Sequence, residues 1–171
     1  MRQRFLFILA SFLLTVSCIK DKPSGADLAV GDAIPDFEVT MNDGAILSSQ
    51  DLKSGVSCIV FFHTSCPDCQ QALPVMQRLF DKYGGAVTFA LISREDDEAS
   101  VSSYWKQQSF TMPYSPQSTR EIYNLFAQTR VPRIYICGKG GIIKAIYTDD
   151  PVPGFEELDH QVNSVCGIGK E

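Results

Sequence analysis

The chain has 171 residues, 44% of them hydrophobic, with 15 Lys+Arg against 20 Asp+Glu and a formal charge of −5. That apolar content supports one packed domain of ordinary size. The acidic balance excludes the basic face that nucleic-acid binding needs, and no internal repeat or low-complexity segment interrupts the chain.

Arg2 and Arg4 precede an almost wholly apolar run from Phe5 to Val16, and no acid occurs before Asp21. A basic start followed by about a dozen apolar residues reads as an export signal, too short for a membrane span. Ser17 stands directly before Cys18, with Leu14 and Val16 just upstream. This resembles a bacterial lipoprotein signal, cut before Cys18, which is then acylated. The alternative is a plain secretory signal, because Leu14 lies one place earlier than the commonest lipoprotein pattern. The expected organisation is a signal over residues 1–17, a lipidated polar tether over 18–29 and one domain over 30–171. Losing Arg2 and Arg4 with the signal takes the formal charge to −7.

From residue 30 the pattern is mixed α and β. "AIPDFEVTMNDGAILSS" reads as a hairpin with Asn42-Asp43-Gly44 at its turn. "SCIVFFH" is a short, β-branched and aromatic run, and hence a buried strand. Residues 67–83 carry Leu73, Met76, Leu79 and Phe80 at helical spacing, and Gly84-Gly85 end that helix. "AVTFALIS" is a second buried strand, and the acidic "REDDEAS" opens a helix running through Trp105. "STREIYNLFAQ" reads as a further helix with a Ser118/Glu121 capping box. "RIYICGKGGIIKAIY" gives two strands around a Gly-rich turn, and "GFEELDHQVNSV" a closing helix. The order implies a central mixed β-sheet flanked by helices.

Cys66 and Cys69 in "FFHTSCPDCQQALP" carry the chemistry. A zinc site needs a second ligand pair, and no other C-x-x-C exists, although His63 lies three residues upstream. A loop this short gains little as a staple. At a strand-to-helix corner, however, Cys66 meets unpaired amides and the helix dipole, which stabilise a thiolate. Pro67 suits the first helical position. A thiolate beside a second thiol is the arrangement for disulfide exchange.

"GDAIPDFEV", the turn at Asp43-Gly44, "VFFHTSCPDCQQALP", "RVPRIYI" and "GGII" occur together in the order and near spacing of a known family. Over roughly 135 residues the chain resembles the thioredoxin superfamily. Within it, the chain is similar to the lipoprotein and membrane-anchored thiol-disulfide oxidoreductases of the TlpA/ResA type. The resemblance implies a thioredoxin-like fold with an added N-terminal β-hairpin, and no cofactor or metal. By position, Cys66 is the attacking thiol, Cys69 the resolving thiol, and the two form a redox-active disulfide. Pro132 in Val131-Pro132 matches a cis-proline packed opposite the pair, leaving the Val131 backbone to a substrate strand. Pro74 matches a helix-kinking proline.

Departures from the family pattern bear on the chemistry. Thioredoxins proper carry a buried carboxylate six residues before the first cysteine, where this chain has Val60. His63 is a candidate for the missing proton carrier, or else a packing residue. Asp68, between the cysteines, opposes a Cys66 thiolate and favours the disulfide. Arg130 and Arg133 act the opposite way if they point inward, and otherwise are solvated surface charges. Cys58 is expected to be a buried free thiol, with a second disulfide at Cys137 or Cys166 open in an oxidising compartment.

The implied function is a lipid-anchored protein-disulfide reductase of the bacterial cell envelope, facing the periplasm. Its partners would be disulfide-bearing protein clients, such as apocytochrome c, and a membrane electron donor. Alternatives are an oxidase or isomerase of the same fold, a copper-delivery protein using His160, and a peroxidase of the peroxiredoxin type. The last shares "GDAIPDF" but needs a Pro-x-x-x-Thr-x-x-Cys approach that is absent.

Overall fold

The structure, a computed structural model, describes residues 26–167; the expected signal and Cys18 lie outside the described residues. In chain order the elements are β1 (Glu38–Thr40), β2 (Ile46–Ser48), α1 (Ser49–Lys53), β3 (Ser57–Phe62), α2 (Pro67–Tyr83) and β4 (Thr88–Ser93). There follow α3 (Glu98–Gln108), β5 (Tyr114–Ser115), α4 (Glu121–Asn124), β6 (Arg133–Gly138), β7 (Ile142–Tyr147) and α5 (Phe155–Cys166).

All six residues of β3 are buried, as an apolar strand covered on both faces must be. It takes the centre of a five-stranded sheet ordered β5-β4-β3-β6-β7. β3, β4 and β5 run parallel, while β6 and β7 are antiparallel additions. Alternate side chains of β3 feed two aromatic groups. Phe61 meets Tyr123, Phe126 and Tyr135, and Phe62 meets Trp105. The fold is thioredoxin-like, a mixed sheet flanked by helices with an N-terminal hairpin, as expected.

The hairpin β1–β2 turns at Gly44, whose φ of 84° is open to glycine at no steric cost. It also shields the sheet edge. Asn42 donates its N–H to the Tyr114 carbonyl, and its Oδ1 accepts the Tyr114 N–H at 3.0 Å. The fold starts before residue 30. The Asp27 carboxylate accepts the Gln128 N–H and pairs with Arg133, and Leu28 donates to the Phe126 carbonyl.

One local expectation needs correction, and two short elements were not foreseen. The segment after β2 forms α1, closed by a reciprocal cap between Ser48 and Asp51. A two-residue edge strand, β5, follows α3. The Ser118/Glu121 box does not form. α4 is a single turn entered from Arg120 without a side-chain cap. Arg120 is instead drawn to Glu95 at 2.5 Å, and the chain leaves the helix to seat Phe126 among the aromatics.

Candidate functional site

The sheet ends β3 on a buried aromatic pair, and the turn His63–Ser65 then delivers Cys66 to the head of α2. Cys66 is the N-cap, with extended φ/ψ of −82° and 121° and no side-chain cap of its own. Pro67 follows at the first helical position. The Cys66 N–H donates to the His63 carbonyl at 3.1 Å, and its carbonyl accepts from Gln70 at 3.0 Å. The 17-residue helix therefore directs its free amides and positive dipole end at a half-buried sulfur. Pro74 lies inside α2 on an exposed face, and the helix continues through it.

Opposite stands the Val131-Pro132 peptide, which is cis. Cys66 Sγ lies 3.4 Å from the Val131 carbonyl, to which the thiol donates. A second cis bond, Asp150-Pro151, was not foreseen. Asp68 occupies the first turn of α2, half-buried.

Cys69, one turn on, has no exposed surface. Burial pushes its thiol well above the ordinary range. The His63 backbone N–H and the Arg94 charge draw it partly back, while the adjacent Cys66 thiol opposes them. The two sulfurs are thus neighbours of unequal access. One is reachable, and the other is held protonated beneath it.

His63 lies beside the pair, but neither ring nitrogen is free. Nε2 is 3.1 Å from Asp96 Oδ1, and Nδ1 is 2.9 Å from Ser65 Oγ. The two expected cations also fall elsewhere. Arg130, with φ of 72°, sends a half-exposed side chain to Asp149 at 3.2 Å and Asp150 at 3.8 Å. Arg133 is buried instead of solvated, and it binds Asp27 and the Thr129 carbonyl. The cation felt by Cys69 is Arg94, which shares Glu95 with Arg120. Sequence reading missed Arg94 and Asp96. Both follow β4, and only the parallel β3–β4 pairing brings them to the cysteine turn.

The remaining described cysteines are free thiols. Cys58 and Cys137 lie buried at the opposite end of the sheet, where Ser57 pairs with Cys137. Burial pushes the Cys137 thiol up to about 12, with the Ser57 hydroxyl acting against it. Cys166 is half-buried on α5. His160 follows Asp159, which binds Lys82 at the far end of α2. At about 1.5 Å per helical residue, that is about 24 Å from Cys66. Among the described residues no group of three His, Cys, Asp or Glu side chains is arranged for a metal, and no helix is long and apolar enough to cross a membrane.

Residues 30–146 match the model of the AhpC/TSA family. A thiol-disulfide oxidoreductase ResA from Bacillus thuringiensis is 27% identical over 76% of this chain and 76% of its own. A same-named protein of Bacillus cereus is 24% identical over 67% of this chain and 66% of its own, just under two thirds. Among solved structures, a thioredoxin-family thiol:disulfide interchange protein from Chlorobium tepidum superposes with a TM-score of 0.69 at 24% identity. That match covers 83% of this chain and all of the other. A thio-disulfide isomerase from Thermus thermophilus gives 0.67 at 23% identity, covering 82% and 98%.

Proposed function

The chain belongs to the AhpC/TSA family and is of the thioredoxin-like thiol-disulfide oxidoreductase type; from that premise we propose that it is an exported, lipid-anchored reductase of protein disulfides. The observation carrying this reading is the unequal pair at the head of α2, with Cys66 half-buried against the Val131 carbonyl and Cys69 sealed below.

The Cys66 thiolate attacks one sulfur of a client disulfide. The client S–S bond breaks, a mixed disulfide forms and one client thiolate leaves. Cys69 then gives up its proton and attacks Cys66 Sγ, releasing the second client thiolate. The Cys66–Cys69 disulfide has then formed, and two electrons have passed to the client. A membrane electron donor returns them. A client strand pairs with the Val131 backbone, displacing the Cys66–Val131 bond, while Pro67, Asp68 and Pro132 shape the contact. Acylated Cys18 holds the domain at the membrane, facing the periplasm, where clients such as apocytochrome c are met.

The test is a redox equilibrium titration of the exported chain, with Cys66→Ala as control. A potential near or below about −270 mV supports a reductase; one near about −120 mV overturns the direction in favour of disulfide formation. Labelling with a fatty-acid analogue, lost in Cys18→Ser, tests the anchor separately.

A further inference from the structure

A buried carboxylate with no expected role holds the turn that carries both sulfurs. Asp96 lies in the β4–α3 loop, 7% exposed. Its backbone is fixed first. Its N–H donates to Ser93 Oγ at 3.2 Å, while its carbonyl accepts from the Ser93 hydroxyl at 3.0 Å and the Gln117 N–H at 3.1 Å. From that platform Oδ2 accepts the Thr64 N–H at 2.7 Å, and Oδ1 meets His63 Nε2 at 3.1 Å.

The proton on His63 follows from its other nitrogen. Nδ1 receives the Ser65 backbone N–H at 3.2 Å, and an amide N–H only donates. Nδ1 is therefore bare, Nε2 carries the proton, and the ring is a neutral bridge from the turn to the carboxylate. With both nitrogens engaged, the ring is not placed to carry a proton to Cys69. Its peptide nevertheless serves both cysteines. The His63 carbonyl accepts the Cys66 N–H, and the His63 N–H lies within reach of Cys69 Sγ.

We propose that Asp96 and His63 are a positioning pair that sets the redox poise of the dithiol, Asp96 as a fixed negative charge behind the turn and His63 as its hydrogen-bonded brace. This rests on reading Cys66–Cys69 as the redox couple. A carboxylate whose oxygens are held two residues from Cys66 opposes a thiolate at that sulfur and so favours the disulfide, making the couple more reducing. Arg94 is a cation acting on Cys69, and Asp68 is a second anion in the first turn of α2, so the dithiol sits among charges of both signs with Asp96 on the reducing side.

The experiment is the same redox titration at pH 7 on the full exported chain carrying D96N, H63A or H63Q, with thermal melting as a folding check. D96N removes the charge and shifts the equilibrium at least tenfold toward the dithiol, which is about 30 mV for a two-electron couple. H63A leaves the carboxylate without its brace and shifts it about threefold or more toward the disulfide. H63Q keeps a donor for Asp96 and stays within twofold of the parent. Opposite signs for D96N and H63A cannot come from a loosened fold, which moves both the same way. D96N within twofold of the parent, or D96N and H63A shifting together, overturns the pairing while leaving the dithiol reading intact. If D96N does not fold, the H63A and H63Q results decide: H63A unchanged, or H63Q no closer to the parent than H63A, overturns it. A parent chain that never cycles sinks the dithiol reading and this inference with it.

Discussion

Replacing one active-site cysteine at a time tests the asymmetry on which the order of attack depends. Cys69→Ser leaves Cys66 half-buried at the helix head, and Cys66→Ser leaves Cys69 with no exposed surface. Alkylation proceeds through the thiolate, and each pKa unit by which a thiol is raised removes about nine-tenths of its thiolate at neutral pH. Burial pushes the Cys69 thiol well above its ordinary range, and a rise of about two units is enough to remove about 99% of the thiolate present at neutral pH. Steric exclusion adds to this. Iodoacetamide at pH 7 should therefore modify Cys69 in Cys66→Ser at least about 100-fold more slowly than Cys66 in Cys69→Ser. Peptide mass mapping separates these sites from Cys58, Cys137 and Cys166, and full denaturation should erase the difference. Rates within tenfold of each other in the native state would overturn this order of attack, because either thiol could then attack first.

Three further outcomes follow from the packing and the charges. Arg120, and then Arg94, holds the Glu95 carboxyl down at about 2 against an ordinary 4.5. A depressed carboxylate stabilises the fold fully above the unfolded value and loses that contribution as pH falls from about 4.5 through about 2. Denaturation midpoints between pH 6 and 2 should drop more steeply for the parent chain than for Glu95→Gln. Phe61→Ala empties the centre of the Tyr123–Phe126–Tyr135 group and should cost about 4 kcal/mol; a loss under about 1 kcal/mol in guanidinium unfolding would contradict that packing. Asp27→Ala removes the carboxylate paired with the buried Arg133 guanidinium and should cost about 2 kcal/mol by the same measurement, less than a fully buried pair because Asp27 is partly exposed.

The sequence showed most clearly what local physics decides. Pro67 and the Gly84-Gly85 pair bracket α2, observed at Pro67–Tyr83, because N1 proline and a glycine stop act within one turn. The buried runs of β3 and β4 and the Gly44 turn are equally local. α1 escaped because five residues show no helical period, and Ser48, one half of its Ser48/Asp51 cap, lay inside the segment read as a hairpin. β5 is two residues long and exists only by pairing with β4. The Ser118/Glu121 pattern failed because S-x-x-E is satisfied by many loops, and Arg120 had a stronger partner in Glu95.

The site divided the same way. The cysteines and the cis Val131-Pro132 peptide could be read from motif and order. Arg130 and Arg133 could not be aimed, since the partners that turn them away, Asp149 and Asp27, are 19 and 106 residues distant. Asp96 sits within an acidic run that reads as a helix opening. Its neighbour Asp97 does cap α3, and nothing local separates the two.

The proposed function requires that Cys66 and Cys69 exchange electrons as a pair. The test is to equilibrate the chain in glutathione buffers, quench in acid, alkylate free thiols and map disulfides by mass. One reversible link, Cys66–Cys69, is expected, with Cys58, Cys137 and Cys166 alkylated throughout. A link from Cys66 or Cys69 to any of those three, or thiols at both positions in every buffer, would contradict it.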